Sequence, residues 1–441
     1  MVNDCFFDLV RCVVYGDLNP LELRMIKLFA RKPALVLPLI ALLATAGIVM
    51  AKRSDDEGAH RRHKAPRLMS RSTVPPKPSW QTQLDLRKLV NRNGRLVQKL
   101  RSGEDVSYTL DPVLQKRASL YLKRYELPYG AIVMTDVKSG NILALAGHSS
   151  VQPEAKQVNW ALKPWAPAAS VFKLVTAAAL LERGVPADAT VCYHGGLRGL
   201  RAHHLKNDPR RDQSCRTFST AIAKSINPIV AKLANRYLSQ KELQDMAKRF
   251  RFNSKIPFAL PVGISSAEIP EDALERAKVS AGFWHTQLSP LHGALIASTI
   301  ANQGVTRWPQ LIDKVQGRDG KKIKVNGPRS SRTLSADAAK KLAKMMAKTA
   351  TRGSGRRGFF TRRGKALLPG LSVAGKTGSL SKGNIHYSWF VGFAPADKPK
   401  VAFSVLLGNP ARWRIKASTA ARLILTDYLA AKPSKLALAT P

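Results

Sequence analysis

The order of strand-like and helix-like segments predicts an α/β domain with a lobe of helices inserted between parts of one sheet. Two strand-like apolar runs come first, at 130–137 and 141–146, and a Lys-Ser-Gly turn joins them. A block of helical patterns follows, and three more strand-like runs close the domain at 371–378, 388–395 and 401–407. Strands near both ends of a domain are typical of a sheet that those ends share. A hydrophobic content of 44 % is ample for such a core.

Apolar residues spaced by three and four positions predict helices before and between these strands. The segment 112–124 places Leu114, Ala118 and Leu122 on one helical face. A second apolar helix begins near Ser170, and its end is marked by the Gly-Val-Pro sequence 184–186. The other predicted helices cover 217–237, 240–249, 290–302, 335–348 and 418–429.

The residues before the domain predict a membrane anchor. Residues 33–51 carry no charge and are just long enough to span a bilayer. Basic residues flank this run on both sides, so charge leaves its orientation ambiguous. Met25 would begin a more ordinary signal-anchor, and Ala-Thr-Ala at 44–46 would suit a signal peptidase, but we favour a retained anchor.

We therefore expect five segments along the chain. The main domain occupies 106–431 and is preceded by a basic, Pro-rich linker with a small pedestal at 52–105. Residues 1–32 form a cytoplasmic tail before the single-pass anchor at 33–51, and 432–441 form a C-terminal tail. The orientation of the anchor must come from the downstream motifs described below, which imply a domain outside the cytoplasmic membrane of a bacterium, in the periplasm or extracellular space.

The formal charge of +43, from 72 Lys+Arg against 29 Asp+Glu, suits polyanionic surroundings such as nucleic acid, anionic lipid or an acidic polymer. Nucleic-acid-binding motifs are absent from the sequence, so we expect no nucleic-acid partner. The basic run 352–365 precedes a candidate site residue, Lys376, and could steer an anion there. A solvated charged loop is the interpretation that we favour.

Cysteine usage indicates neither metal nor redox chemistry, because the four cysteines are scattered and no CxxC pair or zinc spacing occurs. We expect no metal and no cofactor. Cys192 and Cys215 bracket a polar segment rich in His and Arg. A disulfide would close this loop in an oxidising compartment, whereas two free thiols are equally compatible with the sequence.

Ser170 and Lys173 are the first candidates for chemistry. On a helix, positions i and i+3 share a face, so Lys173 could take the proton of the Ser170 hydroxyl if burial and nearby cations lower its pKa. The helix start would also offer a backbone N–H to a developing oxyanion. An isolated Ser-x-x-Lys match, however, occurs by chance in most chains of this size.

Two later motifs raise the specificity of this pattern. Ser225-Ile226-Asn227 lies in a predicted helix, and Lys376-Thr377-Gly378 lies on a predicted strand. In that order, Ser-x-x-Lys, Ser-x-Asn and Lys-Thr-Gly are the signature of serine acyl-enzymes that act on penicillin-like or D-Ala-D-Ala substrates.

On these residues the chain resembles the transpeptidase domain of penicillin-binding proteins, roughly over 107–429. The likeness extends to longer segments, namely TLDPVLQKRA, GAIVMTDVKSGNILALAG, SPLHGALIASTIANQG and HYSWFVGFAPADKPKVAFSVLLG. It implies an antiparallel sheet flanked by helices with an inserted all-helical lobe, the fold of these transpeptidases and of serine β-lactamases. Ala168-Ala169 before the nucleophile replaces a more common glycine.

The resemblance implies roles for the motif residues. Ser170 would attack the carbonyl of the penultimate D-Ala, with Lys173 as general base and Ser225 passing the proton to the leaving amine. Asn227 would hold the substrate amide and keep Lys173 in place. Lys376 would lower the pKa of its cationic neighbour and attract the substrate anion.

The remaining roles fall on the strand of the third motif. Thr377 and Ser379 would bind the terminal carboxylate, and Gly378 would let the strand approach the substrate closely. The backbone N–H groups of Ser170 and Ser379 would form the oxyanion hole. Expected partners are peptidoglycan stem peptides and β-lactam antibiotics. A separate glycosyltransferase is a further candidate partner, since the stretch between the anchor and residue 107 is too short for such a domain.

The sequence leaves alternatives to a transpeptidase. A D,D-carboxypeptidase or endopeptidase differs in whether water or an amine releases the acyl group. A serine β-lactamase or penicillin-sensing receptor shares two motifs, but its middle motif usually ends in Val, which Asn227 argues against. A non-catalytic wall-binding or polyanion-binding protein would explain the charge and not the three motifs.

Overall fold

The computed structural model describes residues 80–197, 199–325 and 330–431. The predicted anchor, the N-terminal and C-terminal tails and most of the linker lie outside these residues. Among the helices that are described, none combines the length and the apolar character needed to cross a membrane.

Strands and helices are numbered here in chain order. The strands are β1 (Val90–Arg92), β2 (Arg95–Lys99), β3 (Asp105–Tyr108), β4 (Tyr129–Asp136), β5 (Ile142–His148), β6 (Thr190–Tyr193), β7 (Ser214–Thr217), β8 (Val305–Arg307), β9 (Ile312–Gln316), β10 (Lys322–Ile323), β11 (Ser330–Arg332), β12 (Ala374–Lys382), β13 (Ile385–Ala394) and β14 (Val401–Asn409). The helices are α1 (Pro112–Arg124), α2 (Asn159–Leu162), α3 (Lys173–Glu182), α4 (Phe218–Lys224), α5 (Asn227–Tyr237), α6 (Gln240–Arg249), α7 (Ala273–Ser280), α8 (Pro290–Ala301), α9 (Ala336–Thr351), α10 (Arg356–Phe359) and α11 (Ala417–Ala430).

A five-stranded antiparallel sheet forms the centre of the domain, in the order β12-β13-β14-β4-β5. The pairing of β14 with β4 joins the two ends of the domain, and most side chains on both strands are buried. Such double-sided burial requires helices on both faces. The predicted α/β fold with a shared sheet is confirmed.

Helices cover both faces of this sheet. The fully buried α8 packs on β4, β13 and β14, while α1 and α11 lie against β4, β5, β13 and β14. The helical lobe is inserted between β5 and β12, and its core is continuous with that of the sheet through α3, whose residues from Lys173 to Leu181 are all buried. A helix that is apolar all round belongs in a core.

A second five-stranded sheet contains the predicted pedestal. Its order is β1-β2-β3-β9-β10, so strands from 90–108 pair with strands from 312–323. Val106 and Val315 pair across β3 and β9 and are both buried. The pedestal therefore shares a sheet with a later part of the chain.

The single helix predicted over 217–237 is wrong in one respect. The α4 helix ends at Lys224, Ser225 adopts a left-handed conformation with φ 60°, and α5 starts at Asn227 with Pro228 in its first turn. Pro228 lacks the N–H that would continue the ladder of α4, and its fixed φ suits the first turn of a new helix. The break turns the Ser-x-Asn motif into a sharp corner between two helices.

Other elements also differ from the sequence prediction. The strand of the third motif, expected at 371–378, begins at Ala374 and continues to Lys382. Ser170 lies in a separate 3₁₀ turn, Ala169–Val171, before α3 begins. The α7 helix was not predicted, although Asp272 caps its N-terminus by accepting a hydrogen bond from the Glu275 N–H.

Candidate active site

Ser170 and Lys173 meet at the start of α3. The 3₁₀ turn presents the half-buried Ser170 hydroxyl, while Lys173 is completely buried. The Nζ of Lys173 lies 2.7 Å from the Oγ of Ser170. The i to i+3 spacing thus places the amine within reach of the hydroxyl proton.

Three oxygen atoms hold the Lys173 amine. Besides Ser170 Oγ, it donates to the Oδ1 of Asn227 at 2.7 Å and to the backbone carbonyl of Ala281. No carboxylate among the described residues forms an ion pair with it. Burial, and secondarily the charge of Lys376, hold the pKa of Lys173 well below its usual range. A neutral amine at this position can accept the Ser170 proton.

Asn227 connects Lys173 to the loop before α4. It is the first residue of α5, and its Nδ2 donates to the backbone carbonyl of Leu197 at 2.5 Å. Its carbonyl oxygen and one amide donor are therefore engaged within the protein. If Asn227 also holds a substrate amide, as expected from the sequence, it must donate its second Nδ2–H to that group.

Ser225 and Lys376 form a second hydrogen-bonded pair in the site. The left-handed backbone of Ser225 turns its hydroxyl toward β12, where the Nζ of Lys376 lies 2.9 Å from the Oγ. Lys376 is completely buried and also donates to the carbonyl of Thr377. Burial lowers its pKa to about 7.

Close packing brings β12 against the turn that carries Ser170. Gly378 is paired with Trp389 on β13, and a β-carbon at Gly378 would lie 3.1 Å from the Trp389 Cβ and 3.3 Å from the Val171 side chain. The indole N–H of Trp389 donates to the carbonyl of Pro167 at 2.9 Å. A side chain at this position would push these neighbours apart by a few tenths of an ångström, so a glycine suits the point where the third motif passes the nucleophile turn.

A cavity of about 410 Å³ lies beside this strand. Its lining residues are Ser354, Thr377, Ser379, Ser388, Trp389, Trp413, Lys416 and Ser418. Thr377 and Ser379 thus face one space, as a shared role in carboxylate binding requires. A larger cavity of about 500 Å³ lies between Trp80 and Trp308 and contains no motif residue, so size alone does not locate the site.

Ser354 is a site residue that the sequence analysis missed. Its Oγ lies 2.5 Å from the Oγ1 of Thr377, and it also donates to the carbonyl of Ala223. It belongs to the run 352–365, which we interpreted as a charged loop. The signal that could have found it is a serine between two glycines, Gly353 and Gly355, shortly before the third motif.

Gly282 is a second residue that was missed. It follows Ala281, whose carbonyl binds Lys173, and has a positive φ of 84°. A β-carbon there would collide with the carbonyl oxygen of Ala169 and lie 2.9 Å from the Ser170 Cα. The residues that follow α7 therefore pack directly against the turn that carries Ser170.

The structure brings all the predicted site residues together. Ser170, Lys173 and Asn227 form one hydrogen-bonded group, and Ser225 and Lys376 form another. The segment 376–379 runs past both on one strand. The two groups come from three separate parts of the chain, 170–173, 225–227 and 376.

Comparison with known proteins agrees with this geometry. The model of the penicillin binding protein transpeptidase domain matches residues 130–427. Peptidoglycan D,D-transpeptidase PbpA of Mycobacterium tuberculosis strain H37Rv is 29 % identical over 349 residues, which are 70 % of this chain and 68 % of the relative.

Solved structures show the same fold. The imipenem acyl-enzyme complex of penicillin-binding protein A from M. tuberculosis has a TM-score of 0.63 at 26 % identity and covers 74 % of this chain and 80 % of that chain. The D,D-transpeptidase domain from Eggerthella lenta has a TM-score of 0.63 at 25 % identity, with coverages of 76 % and 85 %. The fold, the assembled motifs and the matched range show that this chain belongs to the penicillin-binding protein transpeptidase family.

Proposed function

We propose that this protein is a peptidoglycan D,D-transpeptidase that forms an acyl-enzyme on Ser170. The observation that carries the proposal is the buried Lys173 amine, whose pKa is lowered and whose Nζ lies 2.7 Å from the Ser170 Oγ. A base with a lowered pKa beside a hydroxyl is the arrangement that activates a serine nucleophile.

The reaction proceeds in two halves. Ser170 Oγ bonds to the carbonyl carbon of the penultimate D-Ala while Lys173 takes its proton. The C–N bond to the terminal D-Ala then breaks, and Ser225 passes a proton to the leaving amine. In the second half, the amine of another stem peptide attacks the ester, forms the cross-link and returns the proton to Ser170.

The strand of the third motif binds the substrate. Backbone N–H groups of Ser170 and Ser379 stabilise the oxyanion, which requires donors fixed before the reaction begins. Thr377 and Ser379 hold the terminal carboxylate, and Lys376 contributes positive charge. Ser354 adds a third hydroxyl to this carboxylate site through its contact with Thr377.

We also propose that the domain works outside the cytoplasmic membrane, on the predicted anchor 33–51. The disulfide between Cys192 and Cys215 supports this location, because such bonds persist in oxidising compartments. A membrane glycosyltransferase that supplies glycan strands is the matching partner. Two comparisons support β-lactam binding at Ser170. The PbpA relative is named a peptidoglycan D,D-transpeptidase, and the solved penicillin-binding protein A is an acyl-enzyme with imipenem.

Labelled penicillin tests the nucleophile. We expect one label per chain in the parent protein and none in Ser170→Ala, with unchanged thermal stability. Normal labelling of Ser170→Ala would contradict the assignment. Rapid release of the label would instead indicate a β-lactamase.

A synthetic pentapeptide tests the second half of the reaction. We expect the amide product to exceed the hydrolysis product when an amine acceptor is present. Release of D-Ala with only the hydrolysed tetrapeptide, at any acceptor concentration, would indicate a carboxypeptidase.

A further inference from the structure

Three histidines converge in the disulfide-closed segment between α3 and α4. Their candidate ligand nitrogens all lie within 4.8 Å of one another. We propose that this histidine cluster, His194, His203 and His204, binds one divalent transition-metal ion of the zinc class. Neutral imidazole nitrogens are the ligands that such ions commonly take in proteins.

The hydrogen bonding of His194 suits a metal ligand. Its Nδ1 lies 2.6 Å from the Oδ1 of Asp212, whereas its Nε2 is buried and has no hydrogen-bond partner among the described residues. A carboxylate that accepts the Nδ1–H leaves the Nε2 lone pair free, which is the usual support of a metal-binding histidine. Without a bound ion, burying this nitrogen with no hydrogen-bond partner lowers the stability of the fold.

The other two rings stand close to His194. The centroids of His194 and His203 are 5.6 Å apart with nearly parallel rings, and those of His203 and His204 are 4.1 Å apart. Ligands at about 2.1 Å from a tetrahedral ion must approach to roughly 3.4 Å of one another. The exposed His203 ring can make most of that movement.

Ion binding changes one contact of His204. The Nδ1 of this buried ring accepts a hydrogen bond from the Arg201 N–H at 3.0 Å, so the neutral ring carries its proton on Nε2. Coordination through Nε2 moves that proton to Nδ1 and breaks the bond to Arg201. The ion therefore rearranges the turn 201–204 as it binds.

The buried lysine nearest the histidine cluster is paired with a carboxylate, whereas Arg201 adds a positive charge near His204 that has no ion-pair partner among the described residues. Lys232 lies 2.5 Å from the Oδ2 of Asp212, so this buried pair is internally neutral, and Lys232 also donates to the carbonyl of Cys192. The disulfide pairs β6 with β7 at the base of the loop. The metal site thus has a base that the disulfide fixes, and two ligands, His203 and His204, that rearrange when the ion binds.

The same loop reaches the active site. Leu197, three residues after His194, accepts the hydrogen bond from Asn227, which holds Lys173. An ion that orders this loop would fix the amide that positions the general base. This coupling deepens the proposed function, whereas ion binding itself can be measured without it.

Cobalt absorption tests the site in the full chain after removal of metal with a chelator. We expect one Co²⁺ per chain with the visible spectrum of a tetrahedral nitrogen site, displaced by Zn²⁺. Saturating Zn²⁺ should raise the unfolding midpoint by a few degrees, as expected for a ligand at a hundredfold excess over its dissociation constant.

Two variants make the test specific. His203→Ala removes an exposed ring that has little part in folding, and we expect it to weaken Co²⁺ binding at least tenfold. His148→Ala is the matched control, because among the described residues its buried Nε2 also has no hydrogen-bond partner, and His148 belongs to no cluster of possible metal ligands. Equal binding by the parent and His203→Ala, or equal loss in His148→Ala, would overturn the proposal.

Discussion

The positive charge of Lys376 helps to lower the pKa of Lys173, although the two residues lie on elements from opposite ends of the domain. Both side chains are completely buried, and each amine lies beside a serine hydroxyl. One lysine can therefore lose its proton to act as a base because the other stands near it as a cation. This pairing leads to predictions about pH.

Replacing Lys376 by Met should raise the pKa of Lys173, because the second cause of its lowering is removed. Since Lys173 must be neutral to accept the Ser170 proton, the acidic limb of the acylation profile should shift to higher pH. The measurement is the second-order rate constant for labelled penicillin between about pH 5 and about pH 10. A lower rate with an unmoved acidic limb would show that Lys376 acts only in binding.

The Lys376→Met variant should also change how stability depends on pH. Folding lowers the pKa of Lys376 from 10.5 to about 7, so the unfolded chain binds more protons between these values. This group therefore makes the parent protein more stable as pH rises through that window, by up to about 1.4 kcal/mol per pH unit. The difference in unfolding free energy between variant and parent should be largest below about pH 7 and shrink toward pH 10.5. A difference that does not vary with pH would contradict the burial of a charged Lys376.

Gly282→Ala should impair acylation more than its backbone strain explains. Gly282 and Gly370 both have positive φ, at 84° and 75°, but only the β-carbon at Gly282 would collide with the nucleophile turn. We expect acylation to fall at least tenfold in Gly282→Ala, since displacement of Ser170 by about 1 Å is costly. Gly370→Ala should introduce a similar backbone strain and lose a similar amount of stability, but keep its acylation rate. Equal rates in the two variants would contradict a supporting role for Gly282.

Asn227→Ala should lower both stability and acylation. It removes one of the three hydrogen bonds of the buried Lys173 amine and the bond to the Leu197 carbonyl, at a cost of about 1–3 kcal/mol in unfolding free energy. The control is Asn253→Ala, because Asn253 also bridges to backbone, through two bonds to Ala267, but touches no motif residue. Denaturant unfolding measures the loss of stability in both variants, and penicillin labelling measures acylation, which should fall only in Asn227→Ala. A normal acylation rate in Asn227→Ala would exclude a positioning role.

Removing the disulfide should destabilise the protein by about 3 kcal/mol, the value expected for a loop of this length. The double variant Cys192→Ser/Cys215→Ser should also acylate more slowly, because the loop carries the Leu197 carbonyl that fixes Asn227. Thermal unfolding under non-reducing conditions measures the first effect. An unchanged midpoint would show that the segment is held by its other contacts alone.

The sequence predicted the elements whose signal is local. The hairpin of β4 and β5 follows from alternating residues around a turn, and the three motifs follow from short spacings. The helix break at Ser225 was also encoded locally, by Pro228, but apolar periodicity on both sides concealed it. Ser354 and Gly282 were missed because their contacts lie with residues far away in the chain.

The histidine cluster shows the same limit. His194 and His203 are separated by a loop with no regular spacing, and the pairing of β6 with β7 and the Cys192–Cys215 disulfide close that loop. Metal ligands that come together through a loop have no periodic pattern in the sequence. The sequence therefore indicated a polar, His-rich segment and no metal chemistry.

The sequence by itself determined the family, the central sheet with its inserted helical lobe, and the candidate site residues Ser170, Lys173, Ser225, Asn227 and Lys376, because motifs and apolar patterns depend on residues a few positions apart. Only the tertiary structure decided that Lys173 and Lys376 are buried near each other, that a disulfide closes the loop before α4, and that Ser354 faces Thr377. Burial and charge proximity determine the pKa of an amine, and both arise when β12 packs against the 3₁₀ turn Ala169–Val171, which precedes α3. The chemistry of the site is therefore a property of the folded domain.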